Sequence, residues 1–194
     1  HTTVSADIAR RLAAEGETRG LHVLDAPVSG GQAGAESGKL AIMCGGTLKA
    51  MTLAEPILQV YGARIVHIGD AGAGQTCKMV NQICIAGVLA GVSEALRFAQ
   101  AADLDLTKTL EAISGGSAQS WQMVNRWQSM ADDRFDFGFA VDWMRKDLGL
   151  ALAEARRNGA SLPMSALVDQ AYAEVQKLGG GRQDTSALVR RLPR

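Results

Sequence analysis

GAGQTCKMVNQ, from Gly72 to Gln82, opens a long apolar helix and places a lysine where a packed core would take leucine. If the helix begins near Gly74, then Gln75, Lys78, Asn81 and Gln82 recur at offsets of three and four and share one stripe. That stripe carries an amine and amides, with no counter-ion. A lysine with no carboxylate beside it, set where desolvation disfavours its charged form, can exchange a proton near neutral pH. A lysine at a helix start can also snorkel to solvent. The amides weigh against that second reading, because amides in a core need a ligand or a backbone to answer them.

The same stretch divides the chain. Ahead of it, Ser5 is a good N-cap for a helix over Ala6 to Glu15, which Gly16 closes. Leu21 to Leu24 reads as a short buried strand, Lys39 to Cys44 as a second strand, Leu48 to Tyr61 as a helix interrupted by Pro56, and Arg64 to Ile68 as a third strand. Behind it, Gly74 to Ala101, Leu106 to Ile113, Gln119 to Met130, Trp143 to Arg157, Ala166 to Leu178 and Thr185 to Arg191 all carry the helical period, and no strand is expected. The spacing therefore predicts an α/β segment over residues 1–70 and an all-α domain over residues 71–194, joined by one long inter-domain helix. That helix is far longer than the mean of about 12 residues and apolar on several faces, so the other helices and a second subunit are expected to cover it.

Bulk properties narrow the function. The 194 residues are 47% apolar, enough to bury a core, and 20 basic residues balance 20 acidic ones. A nucleic acid or an anionic membrane is therefore not expected as partner. Cys44, Cys77 and Cys84 are odd in number, and the last two sit about 10 Å apart along a helix axis, too far to bridge, which fits a reducing compartment. No uninterrupted apolar run reaches the roughly 18 residues of a membrane span, and no leader pattern opens the chain, so the expectation is a cytoplasmic protein. His1 runs straight into Thr2, Thr3, Val4 and a capped helix, as if cut from a longer protein.

Other features carry less. Ser29, Gly30 and Gly31, in DAPVSGG from Asp25 to Gly31, offer a hydroxyl and backbone N–H groups that an anion such as a carboxylate can approach, although a glycine turn after a strand reads the same way. Lys146 is expected to pair on the surface with Asp142, four residues earlier. Trp121, Trp127, Trp143, Phe135, Phe137 and Phe139 suit a core or a subunit contact. His1, His22 and His67 share no metal spacing, so no metal site is assigned. Ser114 to Ser117 has no nearby base, which argues against a serine hydrolase.

Three motifs in order, DAPVSGG at Asp25 to Gly31, GAGQTCKMVNQ at Gly72 to Gln82 and RKDLGLA at Arg145 to Ala151, resemble the β-hydroxyacid dehydrogenase family, which includes 3-hydroxyisobutyrate dehydrogenase and tartronate semialdehyde reductase (2-hydroxy-3-oxopropionate reductase). The resemblance implies that residues 1–70 are the C-terminal part of a Rossmann-type NAD(P)-binding domain and that 71–194 are a substrate and dimerisation domain. It implies Lys78 as the catalytic lysine, and Ser29, Gly30, Gly31, Asn81 and Gln82 as substrate-binding residues. Gln82 departs from the asparagine pair of many 3-hydroxyisobutyrate enzymes and is similar to the tartronate semialdehyde branch. Thr3 and Lys146 match residues that meet the cofactor, NAD or NADP. The related 6-phosphogluconate dehydrogenases carry a histidine shortly after the lysine, which KMVNQICIA lacks. The family's G-x-G-x-x-G fingerprint is absent from this chain. The implied activity is hydride transfer between NAD(P) and a small 3-hydroxy acid, in a homodimer or homotetramer assembled through the helical domain. The alternative is a non-catalytic dimerisation and substrate-side fragment of such an enzyme. A scaffold role is disfavoured by the presence of Lys78.

Overall fold

The computed structural model describes residues 1–193. Ser5 starts the first helix, α1 (Ala6–Thr18), its hydroxyl accepting from the Ile8 N–H at 3.1 Å. Gly16 does not end this helix. It is buried against Val23, where a side chain would collide, so it serves close packing and the helix runs two residues further. The strand expected over Leu21 to Leu24 does not form. Leu21 is 60% exposed, and pairing begins with an isolated antiparallel bridge between Asp25 and Gly45.

A three-stranded sheet follows, in the order β1 (Val28–Ser29), β2 (Leu40–Gly45), β3 (Gly62–Gly69). β1 is antiparallel to β2, with Val28 opposite Ile42, and β2 is parallel to β3, with Ile42 opposite Ile65. The glycine loop holds a short helix, α2 (Gly31–Glu36), which has no buried residue and so no apolar period to betray it. Between β2 and β3 runs α3 (Leu48–Leu58), capped by Thr47, whose hydroxyl accepts from the Ala50 N–H at 3.1 Å. Pro56 stands inside α3 rather than interrupting it, because it falls in the last turn, where one missing N–H is tolerated. Ala26, Leu40, Ile42, Cys44, Met51 and Leu58 close the core between sheet and helix.

The long helix is α4 (Ala73–Ala101), 29 residues. Among the described residues it alone is long and apolar enough to cross a membrane by length and composition. It passes that test where an uninterrupted apolar run does not, because its polar residues are few and spread along it. After it come α5 (Leu106–Ile113), α6 (Trp121–Ala131), α7 (Val141–Asn158), α8 (Pro163–Lys177) and a 3₁₀ helix, Thr185–Arg191. No strand follows β3 among the described residues; an isolated bridge joins Ala140 and Asp184.

The chain forms two compact units, residues 1–81 with 150–160, and residues 82–149 with 161–194. The second has its own core, in which Leu89 and Leu96 of α4 pack with Trp127, Met144, Leu148, Tyr172 and Val175. Asp184 organises its C-terminal end, accepting from the Phe139 N–H at 3.0 Å, the Ser186 hydroxyl at 2.6 Å and Arg126 Nε at 3.1 Å. Burial and the nearby Asp184 push the Tyr172 hydroxyl well above the ordinary tyrosine range.

Candidate functional site

Nothing immediately before Ala73 caps α4 with its own side chain, so its first N–H groups are answered from elsewhere. Asp25 supplies the answer. Its Oδ1 accepts from the Gly72 N–H at 2.7 Å and its Oδ2 from the Gln75 N–H at 2.8 Å, an anion at the positive end of the helix dipole. Gly74 makes the approach possible, since a Cβ there would lie 2.7 Å from the Asp25 carbonyl oxygen and 2.8 Å from its carboxylate. In the sequence Asp25 stands out only as the first residue of DAPVSGG. The missing signal was the uncapped start of α4.

Gln75 fastens the N-terminal segment to the same turn. Its Oε1 accepts from the Val4 N–H at 3.0 Å and its Nε2 donates to the Thr2 carbonyl at 2.9 Å. Thr3 lies between those two bonds. Gln75 is 2% exposed and Lys78, one turn further along α4, is 7% exposed. The lysine therefore does not snorkel freely, and its position is set by a helix start tied down at Asp25, Thr2 and Val4. Asn81 follows at the next turn, half-buried.

Ser29 ends β1, and Gly30 and Gly31 turn the chain into α2 with φ of +127° and +59°, a left-handed pair that side chains other than glycine resist. Both glycines are exposed, and nothing approaches the place a Cβ on Gly31 would occupy. An open loop of this kind leaves backbone groups accessible to an anion.

In the second unit, Gln82 Nε2 donates to Asp147 Oδ2 at 2.7 Å and lies 3.9 Å from Met144 Sδ. Both Gln82 and Asp147 are 1% exposed. The other carboxylate oxygen of Asp147 is 3.0 Å from Lys146 Nζ, whose side chain is 48% exposed. The expected pairing of Lys146 with Asp142 is not what α7 shows: Asp142 Oδ1 accepts from Gln176 Nε2 at 2.5 Å. Helical spacing pointed to the wrong carboxylate because neighbours at i and i+1 do not share a face, yet a long lysine side chain can fold back onto one. Asp147, which the sequence placed beside Lys146 without a defined role, contacts both Gln82 and Lys146.

Thr3 sits on a backbone that Gln75 fastens on either side, and Lys146 presents a half-exposed ammonium beside Asp147. Lys78 offers an amine, Asn81 an amide, and the Ser29 loop a hydroxyl and backbone N–H groups open to an anion.

Comparison with known proteins gives two family matches. Residues 72–192 match the family described as NAD-binding of NADP-dependent 3-hydroxyisobutyrate dehydrogenase, and residues 1–69 match the NAD binding domain of 6-phosphogluconate dehydrogenase. An uncharacterised oxidoreductase of Shewanella frigidimarina is 57% identical over 192 residues, which is 99% of this chain and 66% of the relative. The 2-hydroxy-3-oxopropionate reductase of Escherichia coli is 38% identical over 183 residues, 94% of this chain and 63% of the reductase. Among solved structures, Mycobacterium tuberculosis 3-hydroxyisobutyrate dehydrogenase with L-serine superposes with a TM-score of 0.89 at 32% identity, covering 99% of this chain and 68% of that one. The chain thus spans just under two thirds of the length of the curated relatives it matches.

Proposed function

Because this chain belongs to the β-hydroxyacid dehydrogenase family, we propose that the protein carrying it interconverts a small 3-hydroxy acid and its semialdehyde with NAD or NADP. The observation that supports this most is Lys78, a buried amine on a helix start that Asp25 and Gln75 hold in place. A nicotinamide cofactor supplies the hydride acceptor when bound. In the oxidising direction the neutral Lys78 amine takes the proton of the substrate hydroxyl as the carbonyl forms, and in the reducing direction the ammonium returns that proton to the oxygen. Ser29, Gly30 and Gly31 hold the carboxylate through N–H groups and a hydroxyl. Asn81 orients the reacting end. Thr3 and Lys146 meet the cofactor, and Asp147 keeps Lys146 in place.

Gln82 contributes to the site through Asp147, to which its amide nitrogen is committed. Its likeness to the tartronate semialdehyde branch and the similarity to the Escherichia coli reductase support a substrate of that type or of the 3-hydroxyisobutyrate type. Three free cysteines fit a reducing compartment such as the cytoplasm. A non-catalytic fragment role is not what the family match favours.

The test is nicotinamide reduction with a panel of short 3-hydroxy acids and matching alcohols that lack the carboxylate. Saturable turnover confined to the acids is expected. Turnover of the alcohols at equal efficiency would remove the role given to the Ser29 loop, and no turnover of any acid would remove the activity.

A further inference from the structure

We propose that Gln75 is a positioning residue that sets Thr3 and Lys78 in one frame, so that the cofactor-facing segment and the proton-transferring amine keep a fixed separation. This rests on the function proposed above.

The bonding pattern is specific. Gln75 Nε2 donates to the carbonyl of Thr2 at 2.9 Å and Oε1 accepts from the N–H of Val4 at 3.0 Å. An acceptor at one residue and a donor two residues on is how a strand meets a parallel neighbour, so the side-chain amide takes the place of a neighbouring residue's N–H and C=O around Thr3. The alternative amide orientation would set N–H against N–H and oxygen against oxygen, which fixes this one. The base of the clamp is itself held, since the Gln75 backbone N–H donates to Asp25 Oδ2 at 2.8 Å. Gln75 is 2% exposed. Water therefore does not substitute for either partner at no cost. Lys78 lies three residues on, on the same stripe of α4. One side chain thus links the backbone on both sides of Thr3 to the helical turn that carries the amine. A clamp that only fastened the N-terminus could attach at any backbone pair; this one brackets the residue assigned to the cofactor.

Two variants test it. Gln75→Met keeps the volume and removes both bonds. Gln75→Glu keeps an acceptor for Val4, but its ionised form faces the Thr2 carbonyl with no donor. Protonation of the introduced carboxylate restores an O–H donor. Burial and the Asp25 carboxylate disfavour its ionised form, while Lys78 one turn away favours it. The full-length protein is used, with fold verified by circular dichroism, and three readouts are taken. The Val4 amide should exchange with solvent about tenfold faster in Gln75→Met than in the unsubstituted protein. The KM for NAD or NADP should rise about tenfold in both variants near neutral pH, with the KM for the hydroxy acid within about threefold. The cofactor KM of Gln75→Glu should return toward the unsubstituted value as pH falls, while that of Gln75→Met stays raised; KM is compared rather than kcat because a carboxylate here also shifts Lys78.

Faster Val4 exchange with an unchanged cofactor KM would show a clamp without a positioning role and overturn the proposal while leaving the function intact. Equal losses in both variants at every pH would overturn it as well. If Gln75→Met does not fold, the acid rescue of Gln75→Glu decides alone. Absence of nicotinamide-linked turnover in the unsubstituted protein would overturn the function and this proposal with it.

Discussion

Asp147 serves two neighbours with its two oxygens, Gln82 at 2.7 Å and Lys146 at 3.0 Å. Replacing it with alanine removes the acceptor of the buried Gln82 amide N–H and the carboxylate beside Lys146, at a cost of about 1–3 kcal/mol in stability. Urea unfolding of Asp147→Ala checks this, and a variant within about 0.5 kcal/mol of the unsubstituted protein would show that the bond carries nothing. At this scale the sequence was readable where chemistry and helical spacing coincide: Lys78, Asn81 and Gln82 were visible as polar residues on an apolar helix. It was unreadable where a partner is distant in sequence. Asp25 lies 47 residues from Gly72 and 50 from Gln75, and no local pattern announces that its carboxylate caps α4. Gln75 was seen on the stripe, but its bonds to Thr2 and Val4, more than 70 residues away, were not.

Among the elements, α7 offers a pH-dependent contact. Arg157 Nε donates to Glu154 Oε2 at 3.0 Å, and this bond to the guanidinium, opposed by burial, holds the Glu154 carboxyl below the ordinary glutamate range. A carboxyl depressed in the folded state adds stability above its unfolded pKa and loses it as pH falls through the folded value. Thermal unfolding of the unsubstituted protein and of Glu154→Gln should therefore differ near neutral pH and converge in acid below about pH 4. A constant difference across that range would contradict the assignment. The helices after Gly72 were legible because each carries an apolar stripe at the helical period. The run Leu21 to Leu24 misled, since apolar content alone does not make a strand without a neighbour to pair with, and Leu21 faces solvent. α2 was missed because Gly31 to Glu36 buries nothing.

For the molecule as a whole, the order α/β then all-helical followed from period alone, and the family from three short motifs in sequence order. Self-association is a separate matter: Phe98 on α4 and Leu167 on α8 are 74% and 69% exposed, apolar surface that a second copy of the helical unit would cover. We expect a dimer or tetramer by light scattering and a shift toward monomer for Phe98→Glu; a monomer at all accessible concentrations would refute this. The proposed reaction turns on Lys78. Its most direct test is the rate of nicotinamide reduction by a responsive 3-hydroxy acid in Lys78→Ala, with the fold verified by circular dichroism. Proton transfer by Lys78 predicts a loss of at least about 10²-fold in kcat with cofactor affinity retained. A Lys78→Ala protein that turns over at a near-normal rate would contradict it.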